Sequence, residues 1–108
     1  MTTIVFATTR LVGFHHWPDA PDEVAFLRVL HRHIFHVRAE VPVRHDDRDV
    51  EFILLGRRVS AEIEVIRSTQ DVSRWSCERW AMELVDRLGL SACEVSEDGE
   101  NGARVVRS

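Results

Sequence analysis

Lysine is absent from this chain: all fourteen basic residues are arginine, and they are interspersed with eighteen acidic ones. The formal net charge of −4 argues against a general nucleic-acid binder, because neutralising a phosphate backbone takes a broadly basic surface. A local arginine pocket for a small anion is still compatible with it. Cysteine is scarce too. Cys77 and Cys93 are the only two, far apart and in no CxxC pair, so each reads as a small buried hydrophobe in a reducing compartment, with a disulfide as the poorer alternative. No apolar run approaches the length of a membrane span, and no basic start followed by an apolar block opens the chain. The expectation is a cytosolic protein with no membrane partner and no nucleic-acid polymer as ligand. There are no internal repeats and no low-complexity segments.

What is present is ordinary for a globular domain: 44% hydrophobic and 30% charged residues over 108 positions, enough for one domain, 1–108, with a modest core. Thr2–Phe14 is rich in β-branched and aromatic residues and reads as a strand. Pro18 and Pro21 stop it. Asp22–Leu30 reads either as a short helix capped by Asp22 or as a wrapping loop. Ile34–Val43 alternates cleanly, with Phe35, Val37, Ala39, Val41 and Val43 on one face and His36, Arg38 and Glu40 on a wetter one. Pro42 cannot donate to a ladder, so it marks an edge or the strand's end.

The period then changes. In Asp49–Ile66, Phe52, Leu55, Val59, Ile63 and Ile66 form a helical stripe, with the first residues, DVEF, compatible with either helix or extended chain. Gly56 weakens this helix by up to about 1 kcal/mol relative to alanine. Ser76–Leu88 is the clearest helix: Cys77, Trp80, Ala81, Leu84, Val85 and Leu88 share a face, Ser76 caps the start and Gly89 closes the end. Ala92–Glu97 and Ala103–Arg107 are short strands joined by a DGENG turn. The order ββααββ predicts an α+β domain: a four-stranded antiparallel sheet with two helices on one face. The other face is left uncovered, which favours homo-oligomerisation through sheet edges or faces.

Histidine is the chemistry-bearing residue. LHRHIFHVRAEVPV places His31 and His33 two apart, on the same face of an extended chain. Two such imidazoles can hold a metal if a third ligand arrives from elsewhere, and GFHHWP supplies His15 and His16 as candidates.

These residues resemble the 6-pyruvoyltetrahydropterin synthase and 6-carboxytetrahydropterin synthase family, which has the tunnelling fold, over most of the chain. His15-His16 ends the first strand where the family has a zinc-binding histidine. His31-Arg32-His33 sits at the family's His-Gly-His, and Asp49-Val50-Glu51-Phe52 is similar to its Val-Asp-Phe. SCERWAMELVDRL followed by EVSED is similar to its Thr-x-Glu-Asn helix and glutamate-ended strand. His16 and His31 are fifteen positions apart, the sort of gap the family shows, while His15 is one off; spacing leaves either open. The resemblance implies a tunnelling-fold homohexamer with zinc held by His31, His33 and His15 or His16. It further implies an intersubunit pocket for a pterin- or purine-like heterocycle, with Glu97 anchoring the base.

The departures bear on catalysis. The family's catalytic cysteine lies four residues before His-x-His, where this chain has Leu27, and Arg32 replaces the family's glycine. No nucleophile for the synthase reaction stands at that position, so a zinc-dependent lyase or synthase competes with a catalytically silent binder that sequesters or senses a nucleotide-derived molecule, without metal. His45 with Asp46 or Asp47 offers a base, though RHDD reads more simply as a polar turn. Trp17 can stack on a flat ring or pack beside Pro18. Arg57 and Arg58 can meet an anion across an interface or face solvent. Asp98, Glu100 and Asn101 read as turn chemistry.

Overall fold

In the computed structural model, which describes all 108 residues, two long strands set the frame. β1 (Ile4–His15) and β2 (His31–Pro42) pair antiparallel along their whole length, from Ile4 opposite Pro42 to His15 opposite His31. β3 (Ala92–Glu97) adds to the other side of β2, and β4 (Asn101–Val106) to β3, giving the strand order β1-β2-β3-β4. The β2–β3 pairing runs only from Phe35 to Glu40, so Pro42 lies past the point where a missing N–H would break that ladder.

α1 (Phe52–Thr69) packs on β1 and α2 (Cys77–Leu88) on β3 and β4. Both cover one face of the sheet, as the ββααββ order implies. Odd-numbered strand residues point into this layer: Phe35, Val37, Ala39, Cys93 and Val95 join Leu55, Val59, Ile63, Ile66, Trp80, Leu84 and others in one core cluster. The cap expectations for α2 hold, with the Ser76 hydroxyl accepting from the Arg79 amide at 3.1 Å and Gly89 left-handed at φ 65°. Leu88, assigned to the same face, is only partly buried.

Several elements differ from expectation, each for a local reason. β2 begins at His31, three residues earlier than its alternation suggested, because β1 extends to His15 and supplies a partner for every residue. Asp22–Arg28 is a 3₁₀ segment broken at Val24 (φ −131°, ψ 38°), and Asp22 forms no cap bond because its carboxylate instead holds Arg28 at 2.7 Å. α1 starts at Phe52, capped by Glu51, whose carboxylate accepts from the Ile53 and Leu54 amides at 3.1 and 2.9 Å. Phe52 leads the apolar stripe in sequence but is 59% exposed, in a groove beside β1. Glu40, on the wetter face, is buried: Arg104 clamps it with two hydrogen bonds of 2.8 and 2.9 Å, which hold its carboxyl below the usual carboxylate range.

Candidate metal centre

The β1–β2 register decides which histidines meet. His15 stands directly opposite His31, and His33 is two residues further along on the same face. The three rings pack edge to face, with centroids 4.6 Å (His15–His31), 5.2 Å (His15–His33) and 4.9 Å (His31–His33) apart. Phe35 forms the floor, its ring 5.1 Å from that of His15 and 5.9 Å from that of His33. Gly13, opposite His33, leaves space for that floor, since a Cβ there would lie 3.0 Å from Phe35 Cε2.

Each ring is fixed by an oxygen on its Nδ1. His15 Nδ1 lies 2.9 Å from the Trp75 carbonyl, His31 Nδ1 2.8 Å from the Val29 carbonyl, and His33 Nδ1 2.7 Å from Asp98 Oδ2. An oxygen acceptor there requires Nδ1–H, so in the neutral ring the lone pair sits on Nε2. Donor atoms of the three residues lie within 4.8 Å of one another. Nε2 of His31 and of His33 are buried with no hydrogen-bond partner. Buried polar atoms without a partner are costly and rare. The three imidazoles, two of them with unpartnered Nε2 atoms, lie close enough to hold a metal ion, and Nδ1–H···O contacts of this kind are what metal-ligating histidines commonly make.

Asp98 supplies one of these Nδ1 contacts. Its other oxygen accepts from the Ile34 amide at 2.9 Å, and its own amide donates to the Ile34 carbonyl at 2.7 Å. The Ile34 amide first, and then the His33 ring, hold its carboxyl below the usual carboxylate range. It stays ionised and pins His33. Asp98 does stand in the turn after β3, at φ 55°, but nothing local in the sequence relates its side chain to a strand more than sixty residues earlier.

Glu97, opposite Phe35, reaches the same group. Its Oε1 is 3.3 Å from His15 Nε2 and its Oε2 is 3.3 Å from His33 Nε2. Beside these residues opens a cleft of about 570 Å³ whose walls include Trp17, Leu27, Trp75, Cys77 and Asn101. That is the size range of small-molecule sites. Trp17 is 51% exposed at its margin. Leu27 brings no reactive group. Cys77 does bring a thiol, but burial, helped by Glu97 and Glu78, pushes it up to about 12, which leaves it protonated at neutral pH.

The remaining candidates lie elsewhere. His16, although it touches the cleft, stands outside the three-histidine group, with its Nδ1 3.4 Å from the Arg28 carbonyl. His36 is on the opposite face of the sheet, across from Arg10 and Ser96. His45 makes its contacts inside its own turn, with the Asp47 amide and Asp49. Arg57 and Arg58 are exposed on α1. Compared with known proteins, the sequence matches no family model and no curated protein.

Proposed function

We propose that this chain is a metal-centred small-molecule-binding protein of the tunnelling-fold, pterin-synthase type. In this reading His15, His31 and His33 hold zinc through Nε2, and the adjoining cleft takes a flat fused-ring ligand of pterin or purine character. The observation that carries it is the set of three Nδ1-anchored imidazoles with two buried, unpartnered Nε2 atoms. Zinc in such a site supplies Lewis-acid polarisation of a substrate oxygen. Trp17 offers the ligand an exposed aromatic face at the cleft margin. The two free, buried cysteines suit a reducing, cytoplasmic setting. No helix is long and apolar enough to cross a membrane.

A second reading, a binder that sequesters or senses its ligand without turnover, is favoured by the chemistry of the cleft wall. Leu27 stands where the resembled family keeps its nucleophile, and the Cys77 thiol is held protonated. In either reading the working unit is a homo-oligomer, with the hexamer implied by the family resemblance as its form.

Metal analysis of protein purified without chelator tests the centre. About one zinc per chain, lost in His31→Ala, is the expected result; metal-free wild type sinks the synthase reading. A thermal-shift screen of pterins, deazapurines and nucleotides then separates ligands from non-ligands, because only a compound that binds the native state raises the melting temperature.

A further inference from the structure

The Glu97 carboxylate lines the cleft and also sits against the histidine group. Each of its oxygens lies 3.3 Å from a different imidazole Nε2, that of His15 for Oε1 and that of His33 for Oε2. Neither contact has hydrogen-bond geometry, and Nε2 of His33 counts as unpartnered in spite of the nearby oxygen. In the neutral rings, with Nδ1 carrying the proton, a carboxylate beside two ring lone pairs sets negative density against negative density. A cation shared between them reverses the sign of that interaction. The two Glu97–histidine separations also suit one. Donors bound to zinc at about 2.0–2.1 Å in tetrahedral geometry stand roughly 3.3–3.4 Å from each other, the separation seen here between Glu97 and the two histidines.

We infer that Glu97 is the fourth protein ligand of the centre, which closes it as a three-histidine, one-glutamate site in the resting protein. The inference rests on the metal reading above and changes its consequence. A carboxylate engaged on the metal cannot at the same time present both oxygens to the N–H edge of a bound base. A ligand that is to touch the metal or use Glu97 as its anchor must first displace it. Glu97 has room for that movement: its side chain is 33% exposed at the end of β3, beside the cleft. The Nδ1 contacts of His15, His31 and His33 do not involve Glu97, so these three residues would hold the metal while Glu97 moves.

Cobalt(II) titration tests this without any assay of activity, because its visible bands report coordination number and its fourth position takes azide when open. The expected result is wild-type cobalt protein whose spectrum does not respond to azide at concentrations that shift the spectrum of Glu97→Gln. Glu97→Gln should also bind cobalt about a hundredfold more weakly, the upper end of what losing even an outer-shell partner costs. Equal azide response in the two proteins, or equal cobalt affinity, overturns the inference. Melting of the metal-free variant checks its fold, and Glu97→Asp, which keeps the charge on a shorter stem, carries the same readouts if the glutamine variant fails to fold. His31→Ala separates the two levels. Wild-type cobalt affinity in that variant removes the metal centre itself, whereas its loss combined with an unaffected Glu97→Gln removes only the fourth ligand.

Discussion

Replacing Asp98 with asparagine takes away one charge and almost nothing of the side chain's shape. That makes it a sharp probe of the outer shell. In the native protein one carboxylate oxygen holds the His33 Nδ1–H at 2.7 Å while the other accepts from the Ile34 amide at 2.9 Å. An asparagine oxygen can keep only one of these bonds, and its amide nitrogen faces a donor with a donor. His33 then loses its charged acceptor, and its ring is free to turn or to shift its proton to Nε2. Asp98→Asn is expected to weaken zinc binding about 10–100-fold with little change in far-ultraviolet circular dichroism. Competition with a chromophoric chelator measures it, and unchanged affinity would remove Asp98 from the centre. This is also the residue least legible in the sequence. The HxH spacing alone put His31 and His33 on one face, but a glutamate-aspartate pair before a glycine reads as a turn until β2 and β3 are paired in register. The same register separates His15 from His16: β1 ends at His15, which pairs with His31, and His16 lies just beyond the strand.

At the scale of elements, the centre hangs on how α2 begins. Trp75, the residue before the helix cap, turns its carbonyl to His15 Nδ1 at 2.9 Å and packs its ring edge-to-face against Trp80, 4.8 Å away and one turn into the helix. Ser76 follows, capping the Arg79 amide. The alternating pattern of β2, the α2 stripe and both α2 caps were readable from residue type, because each depends on neighbours within a few positions. The exposure of Phe52 was not, because a helix's stripe says which side is apolar but not where the sheet beneath it ends. Nor was the burial of Glu40, which depends on Arg104 two strands away. Ser76→Ala should lose about 1 kcal/mol of stability, a fall in melting temperature of roughly 4–8 °C for a domain of this size. Since the loosened turn carries the Trp75 carbonyl, metal-loaded protein should lose more than metal-free protein. Calorimetric melts with and without zinc decide this: an equal loss in both states would uncouple the cap from the centre.

The whole molecule measures 49 × 29 × 22 Å and leaves two surfaces unfinished. The face of the sheet away from the helices exposes Phe6, Val12 and Phe14 from β1 and Val106 from β4, with the Arg38 guanidinium 3.7 Å above the Phe6 ring. The outer edge of β1 is a twelve-residue strand with no neighbour, a length at which an open ladder invites pairing unless something blunts it. Alongside it runs an apolar groove of about 800 Å³ lined by Ile4, Phe6, Phe52 and Ile53. Phe52, Ile53 and Leu54 are each more than half exposed in the first turn of α1. A strand from a second copy laid along β1 would continue the sheet under this turn and cover these side chains. That occupant satisfies the free backbone groups and the apolar groove together, which a small ligand in the groove would not. Light scattering is therefore expected to give a mass several times the 12.5 kDa of the chain, and Phe52→Glu with Ile53→Glu should shift it to monomer while leaving the three-histidine centre able to bind zinc. A monomeric wild type would sink the assembly. Dissociation accompanied by zinc loss would mean that a neighbouring copy helps to shape the centre.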